Sequence, residues 1–202
     1  MVYKLHNYRT RMAKETEMLF VLKNGNAPVP KVKKVIGNGI LMEYVSGPTL
    51  LDYFAWQEQI HFQYKEPFIK HSTGALTMIA DWMATFYNTN EILTGKKVIL
   101  GNANTRNFII RQELYGVDFE DCREGYREED VGSICAFMLT YNPPYTLWKK
   151  ALVKEMMDLL ICRLGIDRIK AIECLYNELE KINKRRGLRL RNGWIDDIIQ
   201  TI

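Results

Sequence analysis

The sequence lacks the features that identify secreted, membrane-spanning and zinc-binding proteins. Its four cysteines are widely spaced, with no C-x-x-C pair and no histidine nearby, so neither a zinc site nor a disulfide framework is predicted. No apolar run approaches the roughly 18 residues that span a bilayer, and the opening MVYKLHNYRT has no apolar signal-peptide core. We therefore expect a cytoplasmic protein with free, mostly buried thiols and no membrane partner.

The composition is that of a soluble globular protein. Of the 202 residues, 47% are hydrophobic and 26% are charged, a balance that leaves no room for long disordered segments. This length suffices for one ordinary core, or for two small lobes that share a cleft. The formal net charge of +4 is too mild to indicate nucleic-acid binding by itself.

The first part of the chain predicts a small unit with both strands and a helix. VYKL predicts a strand, and a helix is expected from about Thr10 to Lys23, with Met12, Leu19 and Leu22 as apolar anchors. KVKKVI and ILMEYV, joined by GNG, predict a hairpin. Because no helix follows this G-x-G, we interpret it as a tight turn and not as a phosphate-binding loop.

The remainder predicts helices interrupted by one short hairpin. A helix opens within SGPTLLDYFAW, and a stronger one is expected from about Ser72 to Asn90. Residues 98–117 predict a loop and a small hairpin, and helices follow from about Arg127. Breaks in these last helices are expected at YNPPY, Gly165 and Gly187.

The predicted fold class is therefore α+β, with a small α+β part followed by a larger helical part. The glycine and proline of YVSGP separate the two patterns, which places the boundary between residues 1–45 and residues 46–202. A cleft between two such parts is a common place for a ligand.

Two short motifs have the spacing of a phosphoryl-transfer site. In GNANTRNF, Asn102 and Asn107 stand five positions apart, and Asp118 of VDFED follows eleven positions later. Together they resemble the H-G-D-x-x-x-x-N loop and the metal-binding aspartate of the protein-kinase-like superfamily. The resemblance runs from Val2 to Gly132. Within the superfamily the pattern more closely resembles small atypical members, namely aminoglycoside and choline kinases, RIO-type kinases and compact kinases associated with tRNA modification.

This resemblance implies a two-lobed kinase-like fold with a reduced N-lobe, residues 1–45, and a helical C-lobe, residues 46–202. In the family a strand lysine contacts the α and β phosphates of ATP and is held by a glutamate on the next helix. Lys4 and Glu15 match these positions, with Glu17 as the second choice for the glutamate. Lys4 alone would equally suit an ordinary surface lysine.

The stretch LMEYVSGPTLLDY resembles the hinge between the two kinase lobes. By this resemblance Met42 is the gatekeeper, and backbone groups of Glu43, Tyr44 and Val45 hydrogen-bond the edge of an adenine. An apolar strand followed by a glycine turn is the simpler interpretation of the same residues.

The resemblance also assigns the metal ligands. Asn107 and Asp118 take the positions that bind Mg²⁺, a hard cation that prefers amide and carboxylate oxygens. Asp130 in EEDVG resembles the buried aspartate that braces the catalytic loop of many kinase-like proteins. It would serve equally as an acidic residue at a helix N-terminus.

Two departures from the family pattern bear on activity. Only three residues precede Lys4, so either the fold lacks the glycine-rich phosphate loop or this chain is missing its beginning. Leu100 and Asn102 replace the histidine and the catalytic aspartate. An asparagine accepts a hydrogen bond but takes no proton at neutral pH. Since a general base contributes about 10²–10⁴-fold, a slow kinase and a nucleotide-binding pseudokinase both stay open.

A basic segment lies outside the resemblance. KINKRRGLRLR carries six cations and no acid, and these are Lys181, Lys184, Arg185, Arg186, Arg189 and Arg191. Such a run is usually a solvated helix face, but it would also contact a phosphate backbone such as that of tRNA.

Three functions are therefore expected as alternatives. The first is ATP- and Mg²⁺-dependent phosphotransfer to an unidentified protein or small-molecule acceptor. The second is a pseudokinase that acts as a nucleotide-binding interaction module. The third is a nucleic-acid-associated protein that uses its basic C-terminal helix.

Overall fold

The computed structural model describes residues 1–64 and 73–187 and confirms a mixture of helices and small sheets. The strands are β1 (Val2–Leu5), β2 (Val32–Ile36), β3 (Gly39–Met42), β4 (Val98–Ile99), β5 (Phe108–Ile110), β6 (Leu114–Gly116) and β7 (Arg123–Glu124). The helices are α1 (Arg9–Asn24), α2 (Leu50–Tyr64), α3 (Thr73–Thr94), α4 (Arg127–Thr140), α5 (Leu147–Leu164) and α6 (Arg168–Arg186). Among these helices, none combines the length and the apolar character needed to cross a membrane.

The N-terminal sheet has three antiparallel strands with β3 in the middle, between β1 and β2. Lys4 of β1 lies opposite Ile40 of β3. The turn between β2 and β3 contains Gly37 with a φ of 59°, a left-handed conformation that glycine adopts without steric cost. The predicted first strand, the hairpin and the tight turn are therefore confirmed.

Helix α1 connects this sheet to the helical part of the chain. Its predicted anchors Met12, Leu19 and Leu22 are all buried. The helix packs against β2, β3 and α3. Full burial of such an apolar side chain contributes about 1.5–3 kcal/mol, so these contacts fix the position of α1 over the sheet.

Helix α3 lies in the core and presents one buried face, as its spacing of apolar residues predicts. Ile79, Met83 and Phe86 are completely buried. The ring of Trp82, which no sequence pattern singled out, stacks on Phe86 and Phe119 at centroid distances of 5.6 and 6.1 Å. Aromatic pairs of this kind stabilise the core by more than their buried area alone would. The pair of Trp82 with Phe119 also joins α3 to the segment after β6.

Helices α4 and α6 approach closely because α4 carries a glycine at their contact. A Cβ atom added to Gly132 would lie 2.5 Å from the backbone nitrogen of Leu175 and 2.6 Å from the carbonyl carbon of Cys174. The glycines Gly165 and Gly187 follow α5 and α6 in left-handed conformations with φ of 63°, so both predicted helix ends are confirmed.

The predicted boundary between residues 1–45 and 46–202 falls in the segment that joins β3 to α2. This segment has no regular secondary structure apart from a single bridge between Thr49 and Ile109. The division of the chain at this point stays a prediction.

We predict that Gly132→Ala lowers the free energy of unfolding by about 1–3 kcal/mol, because the added methyl group overpacks the α4–α6 contact against rigid backbone. Gly74→Ala in α3 is the matched control, since its Cβ would meet no atom within 4 Å. The control should be neutral or stabilising by at most about 1 kcal/mol. Urea unfolding of the two variants measures both values, and equal effects would contradict the close approach of α4 and α6.

Candidate functional site

Lys4 is the point at which three parts of the fold meet. Its Nζ donates hydrogen bonds to Glu15 Oε2 at 2.7 Å and to Asp118 Oδ1 at 2.5 Å. It also lies 3.9 Å from Glu120 Oε2. Glu15 belongs to α1, whereas the other two acids follow β6. The predicted pairing of Lys4 with Glu15 is therefore confirmed, and Glu17, the second choice, is exposed.

The surrounding acids favour the charged form of Lys4. Burial by itself would lower the pKa of Lys4, but the hydrogen bonds and charges of Asp118 and Glu15 outweigh that effect and raise it. The Glu15 side chain is only 1% exposed. Removing either partner of such a pair leaves a charge that burial penalises, so the ammonium and the carboxylate depend on each other.

His6 belongs to the same cluster, although no sequence motif points to it. His6 directly follows β1, and its N–H donates to the Asn38 carbonyl at 3.0 Å, so the strand alternation continues and places it on the same side as Lys4. The Nε2 atom of His6 lies 2.5 Å from Glu15 Oε2, and its side chain is fully buried. A carboxylate only accepts hydrogen bonds, so this contact is a hydrogen bond in the tautomer that carries the proton on Nε2. Glu15 is therefore held by two side chains of the N-terminal segment.

His6, Glu15 and Glu120 also have the donor types of a metal site, with ligand atoms all within 4.8 Å of one another. The ammonium of Lys4, however, already bonds Glu15 and lies 3.9 Å from Glu120. Arg11 lies 3.1 Å from Glu120, so each of the two carboxylates already faces a cation. We therefore assign no metal to this cluster.

The hairpin β5–β6 brings the two predicted Mg²⁺ ligands onto neighbouring backbone segments. The N–H of Val117 donates to the carbonyl of Asn107 at 2.9 Å. The amide Nδ2 of Asn107 donates to the carbonyl of Asn102 at 3.4 Å, which links the two asparagines of the motif. Asp118 has a φ of 69°, which is uncommon for residues other than glycine, and its side chain is 38% exposed.

A buried carboxylate fixes the loop that carries Asn102. Asp130 is 1% exposed and accepts hydrogen bonds from the N–H groups of Leu100 and Gly101, at 2.7 and 2.9 Å, and from the Tyr87 hydroxyl at 2.9 Å. Burial raises the pKa of Asp130 to about 6, although these hydrogen bonds oppose the shift. The predicted bracing contact is confirmed, and Asp130 also lies in the first turn of α4.

A cleft of about 410 Å³ opens beside the Lys4 cluster. Apolar side chains from β1, β3 and the segments around the β5–β6 hairpin line it, and these are Val2, Met42, Val45, Ile109 and Val117. Lys4, Glu15 and Asp118 line the same cleft. The site thus combines an apolar pocket with a fixed cation and an accessible carboxylate.

The predicted hinge residues form one wall of this cleft. Met42 and Val45 are buried, whereas Tyr44 is 62% exposed. The N–H of Glu43 donates to the Lys31 carbonyl at 2.9 Å. Within the described residues, no backbone hydrogen bond engages the Glu43 carbonyl or the Val45 N–H. Glu43 and Val45 thus line the cleft and each has one backbone group without a backbone partner in the described part of the chain.

Asn102 does not line the Lys4 cleft but a second cavity, of about 400 Å³. This cavity lies between the loop that Asp130 braces, the segment after Asp118 and helix α6, and it shares no lining residue with the cleft. Asn102 and Asp118, which the sequence motif groups together, therefore line two separate pockets.

Two cations of the basic segment have partners within the protein. Lys181 lies 3.2 Å from Glu178, one helical turn earlier, and Arg186 donates to the Thr140 carbonyl at 2.6 Å. Lys184 and Arg185 are exposed. The other two cations of the segment, Arg189 and Arg191, lie outside the described residues.

Comparison with known proteins adds no family assignment. The chain matches no protein-family model, and no curated protein sequence matches it significantly. The function proposed for the chain therefore depends on the residues and contacts of the chain itself.

Proposed function

We propose that this chain is an ATP- and Mg²⁺-dependent phosphotransferase with a two-lobed, protein-kinase-like fold and a slow chemical step. One observation carries the proposal. Lys4 is fixed between Glu15 of the next helix and Asp118, beside an apolar cleft. A fixed cation next to a carboxylate is what the binding of a metal–polyphosphate complex requires.

The cleft suits a nucleotide in size and in chemistry. A volume of about 410 Å³ lies within the range of small-molecule sites, and its apolar walls would cover the faces of a purine. The available carbonyl of Glu43 and N–H of Val45 complement the donor and the acceptor on an adenine edge. The cationic end of the cleft would receive the phosphates, which Lys4 binds with charge-assisted hydrogen bonds.

Asn107 and Asp118 fit the requirements of Mg²⁺. They present an amide and a partly exposed carboxylate from adjacent backbone segments, and oxygen donors of this kind are what the ion prefers. When bound, Mg²⁺ would neutralise phosphate charge during transfer. The left-handed backbone at Asp118 directs its carboxylate toward Lys4, so cation and metal ligand are positioned together.

The phosphoryl-transfer step proceeds without a general base among the motif residues. The acceptor hydroxyl oxygen bonds the γ-phosphorus while the bond from that phosphorus to the β–γ bridging oxygen breaks, and ADP leaves with that electron pair. Asn102 accepts a hydrogen bond from the hydroxyl and orients it, but it takes no proton. The proton therefore passes to a phosphoryl oxygen or to solvent. Positioning and charge neutralisation supply most of the rate in such a reaction, which is why a slow enzyme is expected.

The second candidate is a pseudokinase that binds ATP without transferring phosphate. The amide at Asn102, where the resemblance calls for a carboxylate, favours it. Both candidates use the same nucleotide site and differ only in turnover. We do not propose the RNA-binding alternative, because Lys181 and Arg186 are engaged within the protein.

We predict that Lys4→Met weakens ATP binding at least about tenfold, because the phosphates lose a charge-assisted hydrogen bond. Adenosine binding should change less than about twofold, since Lys4 is assigned to the phosphates. Calorimetry with both ligands measures the difference. Lys34→Met is the control, because Lys34 is an exposed strand lysine.

Since Lys4→Met leaves Glu15 buried without its partner, circular dichroism must show that the variant is folded. Lys4→Arg, which keeps the charge, serves as a second variant if it is not. An equal loss of affinity for ATP and adenosine would make Lys4 a structural residue and remove it from the phosphate site.

We predict that Asn102→Asp raises ATP turnover about ten- to a thousandfold, as a restored base at the acceptor hydroxyl would. The substitution changes the side-chain volume little. Asn102→Ala is the control and should give no gain. A variant that binds ATP–Mg²⁺ normally but neither hydrolyses it nor phosphorylates any acceptor in a lysate would establish the pseudokinase.

A further inference from the structure

The cavity that Asn102 lines has a distribution of charge that points to a particular class of ligand. Most of its charged side chains are paired with one another. Arg123 lies 2.6 Å from Glu129, and Lys181 lies 3.2 Å from Glu178. These two pairs neutralise four of the charges that line the cavity.

Three charged groups of the cavity remain. Asp130 is occupied by its hydrogen bonds to the loop and to Tyr87. Asp121 lies 3.8 Å from Arg11, which partly compensates it. Arg185 has no ion-pair or hydrogen-bond partner within residues 1–64 and 73–187. Arg185 is therefore the charged lining residue that is least engaged by its neighbours, and its planar guanidinium donors match a phosphate or a carboxylate.

The neutral groups of the cavity are suited to hydroxyls. The side-chain amides of Asn102 and Asn177 make no hydrogen bond within the described part of the chain. Each amide offers both a donor and an acceptor, which is the complement of a hydroxyl group. Phe137 adds an apolar surface to the same cavity. A volume of about 400 Å³ suits a small molecule and not a folded protein domain.

We propose that this cavity is the acceptor site, and that the acceptor is a small polyhydroxylated molecule bearing one phosphate or carboxylate group. This inference rests on the proposed phosphotransferase function. Arg185 binds the anionic group, while Asn102 and Asn177 bind hydroxyls. The hydroxyl at Asn102 is the one that bonds the γ-phosphorus of ATP. ADP departs with the electron pair of the broken bond, and the hydroxyl proton passes to a phosphoryl oxygen or to solvent.

A cysteine in the cavity makes the proposal testable without knowing the natural acceptor. Cys174 lines the cavity and is partly exposed, whereas Cys162 is exposed on α5 outside it. The other two cysteines, Cys122 and Cys135, are buried. Burial, followed by the charges of Glu129, Glu128 and Glu173, raises the pKa of Cys174, so labelling is done at mildly alkaline pH.

The experiment measures how fast N-ethylmaleimide labels each cysteine, as read by peptide mass spectrometry. The probes are glucose 6-phosphate, glucose and glucosamine, which share one ring and differ in charge. We expect saturating glucose 6-phosphate to slow the labelling of Cys174 at least about threefold by mass action, with smaller effects of the other two. The labelling of Cys162 should not change.

Two variants test whether the protection of Cys174 depends on the guanidinium of Arg185. Arg185→Ala should abolish the protection that glucose 6-phosphate gives. Lys184→Ala, at an exposed neighbour that does not line the cavity, should retain it. Equal or better protection by glucosamine, protection that survives Arg185→Ala, or no protection by any of the three probes would each overturn the proposal.

Calorimetry with ATP–Mg²⁺ on the same preparation separates this inference from the proposed function. Nucleotide binding without protection of Cys174 overturns the acceptor site and leaves the nucleotide site intact. Protection without nucleotide binding overturns the phosphotransferase function, and with it the role of the cavity as an acceptor site.

Discussion

The ion pair between Lys4 and Glu15 is the interaction on which the rest of the site depends. It joins the N-terminal sheet to α1, and the hydrogen bond from Lys4 to Asp118 extends it to the segment after β6. Because Glu15 is buried, the pair stabilises the fold only while both charges are present. His6 contacts the same Oε2 atom of Glu15, so two side chains hold this carboxylate in place.

The motif residues are divided between two pockets that have no lining residue in common. Lys4 and Asp118 face the apolar cleft, whereas Asn102 faces the polar cavity bounded by α6. Asp130 fixes the backbone between them, and Asn107 links Asn102 to the β5–β6 hairpin. If ATP binds in the cleft and an acceptor binds in the cavity, the braced backbone would hold the two reactants in position for transfer.

The apolar anchors of α1 and the turn residues of the β2–β3 hairpin predicted these elements from the sequence. The pairing of Lys4 with Glu15 was predicted by the family resemblance and not by spacing. The stacking of Trp82 on Phe119 joins residues distant in the chain, and no local pattern encodes it. The role of His6 was accessible from its two-residue spacing to Lys4, and the Glu178–Lys181 pair from the helical repeat.

The most direct test of the account is whether Mg²⁺ strengthens ATP binding through Asp118. Calorimetry compares ATP binding with Mg²⁺ and with EDTA for the unmodified chain, for Asp118→Asn, and for Asp158→Asn as a control. Asp158 is 43% exposed and paired with an arginine, whereas Asp118 is 38% exposed and paired with a lysine. We expect Mg²⁺ to raise the affinity for ATP, and only Asp118→Asn to remove that gain. The absence of a gain, or a gain that Asp118→Asn retains, would contradict the assignment of Asp118 as a metal ligand.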